Sequence, residues 1–248
     1  ARKTLNLNPL DPLAPTADAP LRGTIVHGVL EKFIRAGHRP DDRDALMQIA
    51  ATEFAAHCPW PTIRAQWMAR MDRSADQFLA DEAARQALST EHKIEEYGEI
   101  LVGPSGVLLT CKADRIDLTE TGAALIYDYK TGAVPTKNQQ LTFDKQLLLE
   151  AAMVELGAFE NLGRMSVAAA EFIGVNAAMK NVPAPLNEQP PEQVWAELET
   201  LFDNWHDPKR GYTARLALFS KTDHSDYDHL SRYGEWDTSD DPDPQVLT

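Results

Sequence analysis

The sequence predicts an α/β fold, with a central mixed β-sheet flanked by helices and a helical segment ahead of it. Three observations predict this. Apolar residues recur at helical spacing through the first third of the chain, runs rich in Val, Leu, Ile and Tyr fill its middle, and helical and strand patterns then alternate to about residue 205. With 248 residues, 43% of them hydrophobic, the chain can bury one substantial core, which favours one domain with additions over two equal domains.

Residues 1–20 carry four prolines and little periodicity, and read as an extended arm. A helix follows from about Leu21 to Ala36, where Val26, Leu30, Phe33 and Ile34 share a face and His27 falls on the first turns. Two more helices are expected, from Asp42 to His57 with Asp41 or Asp42 as cap, and from Pro61 to about Leu88 with Pro61 in the first turn. Strand character begins near Glu91, and Gly103 to Gly106 makes a turn. The segments Val107–Asp117 and Ala123–Lys130, joined by Glu120-Thr121-Gly122, form an antiparallel hairpin. A polar loop runs to Thr142, then a helix from Phe143 to Leu156, a strand from Met165 to Val175, a Pro-rich link from Val182 to Pro191 and a helix to Trp205. The expected organisation is an arm (1–20), a main domain (21–210) with a helical part (21–90) and a core (91–175), and a C-terminal segment (211–248) that packs back and ends in an acidic tail.

The hairpin carries the chemistry. Asp114 lies near Asp128 across it, and alternation along a strand sends Asp128 and Lys130 to one side and Tyr129 to the other. Two carboxylates with an ammonium two residues on suit metal-assisted phosphodiester cleavage, in which carboxylates hold a hard cation and lysine offsets phosphate charge or positions water. Blander readings exist. Asp114 could pair with Arg115 or Lys112, Asp128 with Lys130 could be a surface ion pair, and Asp117 reads as a strand-end or turn residue with a supporting role open. Against these, Ile126 and Tyr127 mark a buried strand, where unpaired carboxylates are costly. Glu53, His57, His92 and His206 show no constellation, and Trp60, Trp67, Trp195 and Trp205 read as core.

Composition narrows the class. A net charge of −14 argues against a free-standing DNA-binding module, because phosphate contacts need Lys and Arg. Between Lys112 and Lys145 five acids meet five bases, and the acidic excess lies elsewhere, notably in Asp237 to Asp243. No apolar run approaches 18 residues, so no membrane span is expected. Cys58 and Cys111 fit a reducing, cytoplasmic compartment. The chain starts without Met and without a signal pattern, which suggests a piece of a longer protein.

Gly23-Thr24-Ile25-Val26-His27, then Ala113-Asp114-Arg115-Ile116-Asp117, then Asp128-Tyr129-Lys130-Thr131-Gly132, then Gln146 on a following helix, resembles the RecB-like branch of the PD-(D/E)XK nucleases. The stretch Asp226 to Trp236 further resembles the C-terminal end of AddB-type subunits of bacterial helicase-nucleases that act in double-strand break repair. The resemblance implies an exonuclease using Mg²⁺ or Mn²⁺ on linear DNA ends or single strands. His27, Asp114, Asp128 and the backbone carbonyl of Tyr129 would be metal ligands, and Lys130 would orient water or stabilise developing charge. Gln146 would fix Lys130 or touch the DNA backbone. Where the family often has Tyr four residues after this Gln, the chain has Glu150. Some relatives carry an iron-sulfur cluster on four cysteines; with none between Gly211 and Trp236, no cluster is expected, and Tyr212, Tyr227, His229 and Trp236 are expected to pack the C-terminal segment instead. No Gly-x-x-x-x-Gly-Lys-Ser/Thr loop occurs, so a helicase motor would lie upstream or in an AddA-like partner subunit. Two other classes stay open: a catalytically silent scaffold or DNA-end binding module, and a free-standing single-strand exonuclease.

Overall fold

A computed structural model describes residues 6–8, 10, 16–175, 180–207, 210, 226–237 and 239–241. The order is α1 (Ala19–Arg35), α2 (Arg43–His57), α3 (Pro61–Gln86), β1 (Glu91–Val102), β2 (Val107–Leu118), β3 (Ala124–Lys130), α4 (Lys137–Thr142), α5 (Gln146–Leu156), β4 (Val167–Gly174), β5 (Asn181–Pro183) and α6 (Pro191–His206). The α/β prediction holds: five strands form one mixed sheet in sequence order, β1 to β5, with helices on both faces.

Local chemistry sets the element ends. Asp18 caps α1 by accepting the Leu21 N–H at 2.9 Å, and Asp42 caps α2 by accepting that of Ala45 at 3.0 Å. Pro61 opens α3, where its missing N–H costs nothing. Gly106 ends the β1–β2 turn with φ +72°, and Thr119 closes the β2–β3 turn through reciprocal bonds with Ala123.

Three elements differ from expectation. α1 begins two residues earlier than Leu21, inside the expected arm, because Asp18 supplies the cap. The expected loop before Thr142 contains α4, closed by a capping box in which Thr136 and Gln139 satisfy each other's backbone N–H groups, and α5 therefore starts at Gln146 rather than Phe143. The Pro-rich link begins with the short strand β5, which pairs antiparallel with β4.

The strand β3 is buried almost throughout and carries the sheet's centre. It runs antiparallel to β2 and parallel to β4, so the β3–β4 connection must cross a sheet face, and α4 and α5 make that crossing. One core lies between α1–α3 and the sheet face bearing Ile94, Leu125, Tyr127 and Tyr129. The second lies between α5 and the face bearing Ala113, Ile116, Ile126 and Phe172. Burial on both faces explains why β3 reads as a nearly continuous apolar run, broken by Asp128 and ended by Lys130.

Contacts divide the chain into two compact units, 17–202 and a second made of 1–16 with 203–248. Within the second, the Tyr227 hydroxyl donates to the Leu7 carbonyl, Trp236 Nε1 donates to the Ser231 carbonyl at 2.8 Å, and Tyr233 meets Trp236 edge to face. Tyr212 lies outside the described residues. Among the described residues no helix is long and apolar enough to cross a membrane.

Candidate active site

Strand register brings the site together. The β2–β3 ladder pairs Arg115 with Tyr127 and stops there, so Asp114 and Asp128 are the next residues on each strand. Asp114 is paired in neither ladder. On its other side β1 pairs Ile94 with Arg115 and Glu96 with Ala113, skipping Glu95, whose φ of +58° is unusual for a residue with a Cβ. Released from both neighbours, Asp114 turns its carboxylate to the β3 backbone, where Oδ2 accepts the Tyr129 N–H at 2.9 Å. A side-chain oxygen thus takes the place of a ladder carbonyl.

His27 reaches the same point from α1. Its Nδ1 is 3.4 Å from Asp114 Oδ2, and the Tyr129 backbone carbonyl makes a further hydrogen-bonding contact with the ring. Burial works against a charged imidazole, but the hydrogen bond and charge of Asp114, helped by Asp128, prevail and hold His27 above its ordinary pKa. The described side chains bring His27, Asp114 and the Tyr129 carbonyl into one group.

Asp128, Lys130 and Gln146 make the other half. Gln146, the first residue of α5, donates from Nε2 to Asp128 Oδ1 and accepts from Lys130 Nζ at 2.9 Å through Oε1. One amide thereby holds both hairpin groups. Lys130 Nζ stands 2.7 Å from Asp128 Oδ2, close enough for an ion pair but without hydrogen-bond alignment, so that buried oxygen accepts no hydrogen bond. Burial and then the charge of Asp114 push the Asp128 carboxyl up to about 6, against the pull of Lys130. Lys130 Nζ also lies 5.1 Å from the centre of the Phe172 ring, a cation–π contact.

Glu150 is the group that sequence reasoning left out of the site. It lies four residues after Gln146, on the same face of α5, and Gln146 Nε2 also donates to its Oε1 at 3.1 Å. Only 3% of Glu150 is exposed, and its Oε2 has no hydrogen-bond partner among the described residues. Burial first, with the charge of Asp128 adding, pushes its carboxyl up to about 7 although Gln146 opposes this. The Cys111 thiol beside it is raised far above its ordinary range, by burial and then by the Glu150 charge. A single acid inside the otherwise apolar run Leu147 to Val154 was the available signal.

The opposite sheet face explains why these groups stay in place. Arg115 is fully buried, donating to both Glu82 oxygens at 2.8 Å, to both Asp117 oxygens at 2.7 Å and to the Tyr129 hydroxyl at 3.2 Å. His92 stands 3.0 Å from Asp117, and Ser89 donates to Asp117 at 3.2 Å. Asp117 does stand at the end of β2, one residue before its last, but it is fully buried and takes the supporting role left open above by holding Arg115. The arrangement also separates Asp114 from its alternative partners, since Arg115 points to the other face and Lys112 pairs with Glu95. Through Arg115 the network fixes Tyr129, the residue between Asp128 and Lys130.

Among the described residues no three His, Cys, Asp or Glu side chains are assembled as a metal centre. The donor chemistry nevertheless suits a hard divalent cation. Three carboxylates share the site, two carry a buried oxygen without a hydrogen bond, and Lys130 is the one ammonium within the cluster. Excess negative charge of this kind is relieved by a cation.

The profile of the PD-(D/E)XK nuclease superfamily matches residues 1–215. Similar proteins include an uncharacterized protein of Rickettsia bellii (strain RML369-C), 24% identical over 160 residues, covering 62% of this chain and 19% of that protein. An uncharacterized protein of Rickettsia conorii (strain ATCC VR-613 / Malish 7) is 25% identical over 182 residues, covering 67% of this chain and 21% of that one. A third, from Rickettsia felis (strain ATCC VR-1525 / URRWXCal2), is 25% identical over 169 residues. The chain spans about a fifth of the length of these relatives. The profile match covers most of the residues, and the mixed sheet displays the carboxylates and lysine of Asp114, Asp128 and Lys130 at its centre: the chain belongs to the PD-(D/E)XK nuclease superfamily.

Proposed function

We propose that the chain is a metal-dependent DNA exonuclease domain, working on linear ends or single strands in the cytoplasm as the AddB-like nuclease portion of a helicase-nuclease for double-strand break repair. The observation that carries the nuclease reading is the convergence of Asp114, Asp128 and Lys130 through Gln146, with His27 set against Asp114. His27, Asp114, Asp128 and the Tyr129 carbonyl would hold Mg²⁺ or Mn²⁺. When bound, such a cation supplies charge against a phosphoryl oxygen and a lower pKa for water.

The chain's own groups do the rest. Lys130 presents an ammonium to the charge that builds on the phosphoryl oxygens, and Gln146 keeps its Nζ from swinging away. The Arg115 network keeps β3 from shifting, so Asp128 and Lys130 hold one spacing. The helicase motor, absent from the motifs of this chain, would come from further sequence or from an AddA-like subunit; relatives several times longer than the match support the first option.

The deciding experiment follows end-labelled linear single-stranded and duplex DNA with Mg²⁺ or Mn²⁺, beside an EDTA lane and an Asp128→Ala variant. Cleavage lost in both controls is expected. Cleavage that survives either one removes the metal site from the hairpin. Silence in every lane, with no metal binding by calorimetry, would favour a noncatalytic module.

A further inference from the structure

A cavity of about 450 Å³ opens beside the site on the α1–α3 side, and its charge is opposite to that of the molecule. Arg22, Arg70 and Arg73 line it, Trp67 and Phe54 contribute to an apolar floor, and no Asp or Glu is among its walls. In a chain of 38 acids and 24 bases, arginines are readily matched: Arg35, Arg39, Arg43, Arg85 and Arg115 each pair with a carboxylate. Among the described residues Arg70 and Arg73 have no such pair, though both are exposed. Burial and then the charge of Arg70 hold Arg22 below its ordinary pKa, so these two like charges share the cavity without an acid between them. An acidic protein that keeps three like charges together around an apolar floor has a site for an anion with an apolar part.

The cavity adjoins the cluster through Thr131, the residue after Lys130. Thr131 lines it, and Arg22 Nη2 donates to the Thr131 carbonyl at 2.8 Å. We propose that this cavity seats a single-stranded polynucleotide entering the Asp114–Asp128–Lys130 cluster, with Arg22, Arg70 and Arg73 facing its phosphates and the apolar floor taking sugar and base edges. The proposal rests on the nuclease reading for the direction of the strand, not for its binding. A concave site of this volume suits a ligand of small-molecule size, which a flexible strand can offer one or two nucleotides at a time and a rigid duplex cannot. Arginine is suited to the contact because its planar fork grips phosphate oxygens in pairs.

The test is fluorescence anisotropy of a labelled 20-mer oligodeoxythymidylate against the 248-residue chain, in EDTA, across 0.05–0.3 M salt. Each phosphate contact on a single strand adds about 0.7 to the salt slope, so Arg70→Gln/Arg73→Gln is expected to flatten the slope by about 1.4. Referred to 1 M salt, that is about 25-fold weaker binding at 0.1 M. Arg70→Lys/Arg73→Lys keeps the charge and most of the slope. Arg39→Gln, which removes an exposed arginine already paired with Asp41, leaves binding as in the parent. Parental affinity and slope in the double Gln variant overturn the proposal, as does a parent that does not bind the oligonucleotide. Arginine-independent binding by a chain that cleaves removes the cavity and leaves the nuclease; arginine-dependent binding by a chain that never cleaves does the reverse.

Discussion

Replacing Glu150 by Gln is expected to make the metal-free chain less sensitive to pH. Glu150 is almost fully buried, keeps one oxygen without a hydrogen bond, and shares its site with Asp128 and Asp114. Its carboxyl is raised from an ordinary 4.5 to about 7, so between these values the folded chain binds more protons than the unfolded one. Stability therefore falls as pH rises through that window, is unaffected by this group below about 4.5, and carries the full cost above about 7. At about 1.4 kcal/mol per pH unit, the interval of 7 − 4.5 sets an upper limit of about 3 kcal/mol at pH 8. The amide leaves a polar atom where Oε2 lacked a partner, a pH-independent cost of about 1–3 kcal/mol. The slope therefore isolates the titration. Urea unfolding of both chains at pH 5 and pH 8 in EDTA measures it, and because part of the loss has already occurred at pH 5, the loss between the two pH values should be smaller in Glu150→Gln by about 2.5 kcal/mol. Removing the Glu150 charge also eases Asp128, which acts in the same direction. Equal losses in the two chains would refute the argument.

Lys130→Ala should lower the cleavage rate by about 10²–10³ if its ammonium faces the developing charge, and parental cleavage would deny it that role. Mg²⁺ at a hundredfold excess over its Kd should stabilise the parent by about 2.7 kcal/mol in a thermal melt, and Asp128→Asn should abolish most of the effect. Arg115→Met leaves buried Glu82 with Arg85 alone and buried Asp117 with His92 alone, and chemical denaturation should show a loss of up to about 3–5 kcal/mol. Gly98→Ala would set a Cβ 2.8 Å from the ring of fully buried Phe159, and should cost about 1–3 kcal/mol by the same measurement.

The sequence by itself determined the class of fold, the hairpin and the order of the motifs. These follow from local rules: alternation sends Asp128 and Lys130 to one side, apolar spacing defines α1 and α3, and Gly122 marks the turn. The family could be read for the same reason, because its motifs are short and lie on consecutive elements. Even α4 was legible in Thr136 and Gln139, whose capping spacing competed with the polar composition around it.

Only tertiary structure decided which partner each charge takes. Arg115 directly follows Asp114 and Asp117 lies three positions after it, and nothing local says that Arg115 pairs with Glu82 on α3 and with Asp117 while Asp114 faces His27 on α1. Glu150 belongs to the cluster because α5 packs across β3, and the cavity exists because the start of α1 and the middle of α3 bring Arg22 near Arg70 and Arg73. Periodicity reports which face of its own element a residue occupies. What stands opposite that face depends on how distant elements pack, and for buried charges that packing decides whether a group is neutralised or left for a ligand.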